Sequence, residues 1–309
     1  MTNILYKDPN ITIFQSVLFQ TNSTVVETED VILVFDPAFL PEEVLGIRRY
    51  VDLIRRGRPV FLIFTHSDFD HIIGYRAFEA DKVFMSDAMA KNPDKEKTLR
   101  QIRDFHQQYY INCPYPIEYP EGDFLVYKDG AQYRQGHTKI AFYLTPGHTA
   151  DCMMVIVWQL GLCVAGDYLS NIEFPFIEHS SMAYEQTLHK LPLIHDRNWF
   201  TRLIPGHGTL TLSLNDWLRR RTESLAYIYA LRESIVTGIP FDETSLWSRY
   251  PFPGYQKACH DANVALMKKE YEAGLWDWDP VLSPEDYAES PPPTDIQLDV
   301  PDADESEEV

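Results

Sequence analysis

The chain has 309 residues, enough for two domains of average size or one large α/β domain, with a sizeable buried core in either case. Its 45% apolar and 13% aromatic content excludes wholesale disorder and collagen-like or low-complexity architectures. The formal charge of -19 opposes sequence-independent attraction to phosphate backbones or anionic lipid, so neither nucleic acid nor membrane is expected among its partners.

Residues 1–10 are mostly polar, and Lys7 and Asp8 stand where a secretory signal needs an apolar run. Apolar runs predict strands over 11–17, 31–35 and 60–64. A helix is expected over 41–56, because Pro41 opens it, Glu42 and Glu43 suit its first turn, and Val44, Ile47, Val51 and Ile54 recur at helical spacing. A strand at 83–85, a helix at 96–109, and strands at 139–144, 154–158 and 162–165 follow, then a helix at 183–191 that stops before Pro192. Strands alternating with helical segments indicate sheets covered by helices, an α/β layered domain. The longest apolar stretch, 153–165, is interrupted by Gln159 and is too short to span a bilayer.

Beyond Pro205-Gly206-His207-Gly208 the character changes, and helices are expected over 215–236 and 255–273. The chain is therefore expected to divide into a catalytic core over 1–210, a helical extension over 211–280 and a tail over 281–309. The tail holds ten acidic residues, no Lys or Arg, and Pro291-Pro292-Pro293, so it carries about half of the excess negative charge. With few bulky apolar residues it cannot offset its ordering entropy and is expected to be disordered. Four scattered cysteines without a CxxC pair suit a reducing compartment, which makes a cytoplasmic location the expectation.

The chemistry concentrates at turns. The predicted strand 60–64 runs into Thr65-His66-Ser67-Asp68-Phe69-Asp70-His71, placing four potential metal ligands within six residues just before a helix-like segment. In such a turn, ligands at alternating positions can converge on one point while Asp70 and His71 face a second. Three further candidates, His148, Asp167 and His207, each follow an apolar run and sit beside a glycine. Glycine permits the tight backbone turns that present a side chain at a loop.

This ordered set resembles the metallo-β-lactamase superfamily, whose hallmark is His-x-His-x-Asp-His followed by a distant His, Asp and His. The resemblance covers roughly residues 11–209 and includes an apolar strand ending in Asp36. It implies a four-layer αββα sandwich with two divalent metal ions at one sheet edge, zinc or iron, with manganese as a further option. His66, Asp68 and His148 would hold the first ion, Asp70, His71 and His207 the second, and Asp167 would bridge them. A bridging hydroxide would then attack a small ester, thioester or lactone, as in the similar hydroxyacylglutathione hydrolase branch, with Asp70 assisting proton transfer to the leaving group.

Asp68 stands where the common motif has histidine. Three aspartates plus a hydroxide neutralise two divalent ions, whereas histidine at this position would leave one positive charge. A less positive, oxygen-richer site acidifies water less and favours iron or manganese over zinc. The flavodiiron branch also has a carboxylate here, although Glu, which is longer by one methylene. A di-iron redox or oxygen-handling protein is therefore the alternative, as is a catalytically weakened metal-binding module. His106, His137, His179, His189 and His195 read as structural or surface residues, and Arg219-Arg220-Arg221 as a solvated helix face. His260 and Asn263 share a stripe on the last predicted helix and are the candidates for contact with a small-molecule substrate. Phe174, Phe176 and Tyr184 either line an apolar pocket or belong to the core.

Overall fold

A computed structural model describes residues 3–277; the acidic tail expected over 281–309 lies outside them. The first sheet contains β1 (Ile4–Lys7), β2 (Ile11–Gln15), β3 (Asn22–Glu27), β4 (Ile32–Phe35), β5 (Val60–Ile63), β6 (Lys82–Ser86) and β7 (Phe124–Val126), in that order. Its first four strands pair antiparallel, and β4 to β7 run parallel. The second sheet runs β12 (Arg202–Ile204), β11 (Leu162–Val164), β10 (Met153–Val157), β9 (Thr138–Leu144) and β8 (Ala131–Gln135), with only β11 and β12 parallel. β4 and β5 are apolar at every position because both faces are covered, as parallel strands require.

Three apolar clusters define four layers. Ile13, Leu33, Phe61 and Ile63 of the first sheet meet Ile140, Phe142, Val155 and Val157 of the second. The outer face of the first sheet packs on α1 (Pro41–Ile54) and α4 (Lys95–Gln108), through Val44, Ile47 and Ile102. The outer face of the second packs on α5 (Ser181–Asn198), α6 (Leu214–Thr237) and α8 (Pro253–Glu272), through Leu188, Ile194, Trp217, Ile228 and Met267. Each such side chain removed from water contributes about 1.5–3 kcal/mol. The short helices α2 (Phe69–Ile72) and α3 (Asp87–Ala90) follow β5 and β6, and α7 (Glu243–Arg249) precedes α8. The αββα fold with a helical carboxyl-terminal region is thus as expected. No helix among the described residues is long and apolar enough to cross a membrane.

Two local expectations need correction. α5 does not stop at Pro192 but continues to Asn198. Proline removes the amide that would bond the carbonyl of Leu188, and Arg221 of α6 satisfies that carbonyl instead, its Nε donating at 2.6 Å. The arginine run is likewise not a solvated face, since Arg220 and Arg221 are buried and only Arg219 is exposed. Arg220 donates from Nη1 to the carbonyls of Leu169 and Thr209, fixing the loop that follows Asp167. Phe174 and Tyr184 belong to the core.

Candidate metal centre

The parallel strands β4, β5, β11 and β12 end at one edge, and the residues just past those ends supply Asp36, the His66–His71 turn, Asp167 and His207. The turn between β9 and β10 adds His148. Close backbone approach is built in at Gly206, where a Cβ would lie 2.0 Å from Oδ1 of Asp167 and 2.9 Å from Cε1 of His71.

All seven residues singled out by their turns come together in two adjoining groups: His66, Asp68, His148 and Asp167, and Asp70, His71 and His207. In the first, Asp68 Oδ2 is 3.0 Å from His148 Nε2 and 3.7 Å from His66 Nε2, so its carboxylate lies within the group. In the second, Asp70 Oδ2 is 3.7 Å from His71 Nε2 and 3.6 Å from His207 Nε2. Asp167 lies between, with Oδ1 3.2 Å from His71 Nε2 and Oδ2 3.2 Å from His207, 3.3 Å from His148 and 3.6 Å from His66.

Each imidazole is held by its other nitrogen. His148 Nδ1 donates to the Phe176 carbonyl at 2.8 Å, and His207 Nδ1 to the Phe19 carbonyl at 2.9 Å. His71 Nδ1 donates to Asp36 Oδ2 at 3.1 Å. Thr65 Oγ1 donates to that same oxygen at 2.6 Å and so accepts from His66 Nδ1 at 2.9 Å. Asp36 is a non-glycine residue at φ +45, held there because its other oxygen also accepts from the Thr65 amide. Anchoring every Nδ1 turns four Nε2 lone pairs inward, the usual outer support of a metal site.

The donor set fits cations. His66 Nε2 is buried with no hydrogen-bond partner among the described residues, and the Nε2 atoms of His71 and His207 face each other at 3.3 Å. Without a metal, protons take the cations' place. Burial pulls His207 down, but the Asp167 and Glu173 carboxylates outweigh it and raise the imidazole to about 10. Burial likewise opposes protonation of His71 and His148, and the carboxylates around them still hold both well above the ordinary value. Burial favours the neutral acid at Asp68 and Asp167, yet the neighbouring imidazoles drive both far below the usual carboxylate range.

A cavity of about 390 Å³ opens over the centre, reaching Asp68, Asp70, His148, Asp167 and His207 between walls that include Phe19, Phe176 and Tyr255. His179 lines it too, whereas His106, His189 and His195 are buried elsewhere and His137 is exposed. His260 and Asn263 do not line it. Asn263 Oδ1 accepts from Ile177 N at 2.9 Å, and its Nδ2 donates to the Pro175 carbonyl at 2.6 Å; His260 bonds Tyr227. These residues brace the segment whose Phe176 carbonyl orients His148. The Phe19 and Phe176 carbonyls are not legible in the sequence, because backbone groups carry no residue signature. Nor do two further groups stand out there: Thr21, whose hydroxyl donates to Asp70 Oδ2 at 3.1 Å, and Glu173, a half-buried carboxyl in the cavity wall. Burial pushes Glu173 up to about 7, with Asp167 and Asp70 adding to the effect against His207.

Residues 17–223 match the family described as the metallo-beta-lactamase superfamily. Among solved structures, a metallo-beta-lactamase family protein from Thermus thermophilus is 17% identical, with a TM-score of 0.61 over 86% of this chain and 95% of that one. A stereoselective inverting sec-alkylsulfatase from Pseudomonas sp. is 15% identical, with a TM-score of 0.61 over 77% of this chain, which spans only 43% of the sulfatase. A metallo-beta-lactamase from Pontibacter korlensis is 15% identical, with a TM-score of 0.50 over 68% of this chain and 93% of that one. At such identities the likeness speaks for the fold alone. A search of the curated proteins returns no match.

Proposed function

This chain belongs to the metallo-beta-lactamase superfamily, largely metal-dependent hydrolases that use divalent ions, and from that premise we propose that it hydrolyses a small ester, thioester or lactone. The observation that carries the reading is the convergence of four inward Nε2 atoms and three carboxylates beneath one open cavity. His66, Asp68 and His148 would hold one ion, Asp70, His71 and His207 the other, with Asp167 shared. Two divalent ions in that donor set would supply Lewis acidity and activate water near neutral pH.

The chain's own groups do the rest. The Thr65–Asp36 pair and the Phe19 and Phe176 carbonyls keep the imidazoles in the binding tautomer. Asp70, oriented by Thr21 at the cavity floor, would take up the proton that the attacking water loses and hand it to the leaving group. Phe19, Phe176 and Tyr255 would present apolar surface to the substrate beside the reacting bond. Loss of even an outer partner of a ligand costs about 10–100-fold, so His71→Ala should lower kcat/KM on such substrates by at least that much. A panel of esters, thioesters and lactones assayed on metal-loaded wild type and on His71→Ala tests this: equal turnover, or none in either, overturns it.

Asp68 carries a second reading. An oxygen-rich donor set suits iron or manganese better than zinc, and a di-iron protein handling oxygen or electrons would use the same residues. Metal identity and stoichiometry in protein isolated without added metal separate the two, since tightly bound zinc without iron removes the redox reading.

A further inference from the structure

A second cavity, also about 390 Å³, adjoins the one over the centre and shares Phe19, Glu173 and Tyr255 with it as a common rim. Beyond that rim the walls change character: Val17, Ile172, Phe252 and the rings of Phe19 and Tyr255 stand beside Gln20 and Gln256, and no Lys or Arg among the described residues lines the space. Val17 is 73% exposed, Tyr255 58% and Phe252 49%, so large apolar surface is left uncovered beside a polar, acid-rich centre. Uncovered apolar walls continuous with a reactive site are the mark of a ligand groove, and the volume suits one.

The rim is held in place at a conformational cost. Phe19 and Gln20 are consecutive non-glycine residues in the left-handed region, at φ +52 and +50. Their carbonyls accept from His207 Nδ1 and from the Gly208 amide, so the loop is pinned to the metal centre itself. That pinning sets the Phe19 ring 5.8 Å from Phe39 and 5.4 Å from Tyr255. Strain of this kind persists where the surroundings over-determine it, as at ligand clamps.

We propose that this annex is a subsite for the neutral apolar tail of the substrate, so that the protein acts on esters with an unbranched chain of several carbons, the tail crossing the Phe19–Tyr255 rim while the ester group lies over the metal centre. The inference rests on the hydrolase reading for its ester group but not for its tail. Gly254, near the start of α8, offers a clean test. It lines the annex, its φ is ordinary, and a Cβ there meets nothing within 4 Å, so Gly254→Trp adds bulk at the annex wall with no clash at its Cβ.

Full-length metal-loaded protein should hydrolyse p-nitrophenyl octanoate about tenfold better than the acetate in kcat/KM, since each buried methylene is worth about 0.8 kcal/mol and only part of the chain is enclosed. Gly254→Trp should collapse that ratio, and Phe252→Ser, which removes one apolar wall, should reduce it. Calorimetric binding of 1-octanol, which has no bond to hydrolyse, should weaken about tenfold in Gly254→Trp. Turnover without chain-length preference, or a preference unchanged in both variants, overturns the annex and leaves the hydrolase reading standing. Octanol binding lost in Gly254→Trp, with no ester hydrolysed, supports the annex and overturns the hydrolase reading. Octanol binding equal in wild type and both variants overturns the annex whatever the turnover.

Discussion

Asp68 is the residue on which the chemistry of this centre turns. Its carboxylate takes a place that the common motif gives to imidazole, and Oδ2 sits within 3.0 Å of His148 Nε2, inside the first ligand group. A third carboxylate makes the donor set harder and the filled site less positive. Asp68→His should therefore shift selectivity towards zinc; in competitive loading with equal iron(II) and zinc under anaerobic conditions, the bound zinc-to-iron ratio should rise about tenfold, as a ligand's softness and charge decide such selectivity. An unchanged ratio by elemental analysis would show that Asp68 does not set the preference. At the same scale, Asp36 illustrates how much a single side chain can organise: one carboxylate orients His71 directly and His66 through Thr65.

At the scale of elements, the carboxyl-terminal helix lines the cavity over the metal centre through Tyr255 and also acts on the centre indirectly. α8 carries Asn263, which clamps the Pro175 carbonyl and the Ile177 amide, and the residue between them presents the carbonyl that holds His148. Asn263→Ala leaves two buried backbone groups unpaired, so it should cost about 2–4 kcal/mol and lower the melting temperature by several degrees. It should also weaken metal binding about tenfold by freeing His148, a change that simple loss of packing would not produce. Calorimetry and metal titration on the same sample check both; a lower melting temperature with unaltered metal affinity would leave Asn263 structural only. A comparable cooperation between elements allows α5 to pass through Pro192, with α6 supplying Arg221 to the carbonyl that the proline leaves unmatched.

For the whole molecule, the decisive quantity is not the net charge of -19 but the local balance inside the centre. In the stripped protein, His207 near 10 lies above its unfolded value of about 6.5, so its stabilising contribution is full below pH 6.5 and lost as pH rises through 10. The depressed carboxylates Asp68 and Asp167 contribute above their unfolded value of about 3.9 and lose that contribution as pH falls below it. Metal displaces the imidazole protons, so the loaded protein should escape the alkaline loss. The melting-temperature gap between loaded and stripped protein should widen from pH 6 to pH 9, and a constant gap in differential scanning calorimetry would refute it. The fold class and the seven turn residues were legible in the sequence because buried strands read as apolar runs and the ligand-type residues stand in turns near their ends, four in one dense cluster and three beside a glycine. Short strands such as β7 and β12, with three residues each, were not legible, since their pairing is decided by neighbours distant in the chain. Nor were the Phe19 and Phe176 carbonyls, the burial of Arg220 and Arg221, or the bracing role of Asn263. The sequence by itself determined which side chains could bind metal, because that is a property of residue type and local turn. Only the tertiary structure decided which nitrogen of each imidazole faces inward, that Asp68 joins the first ligand group, and that an apolar annex adjoins the cavity over the centre, because each depends on groups that meet only when remote segments pack.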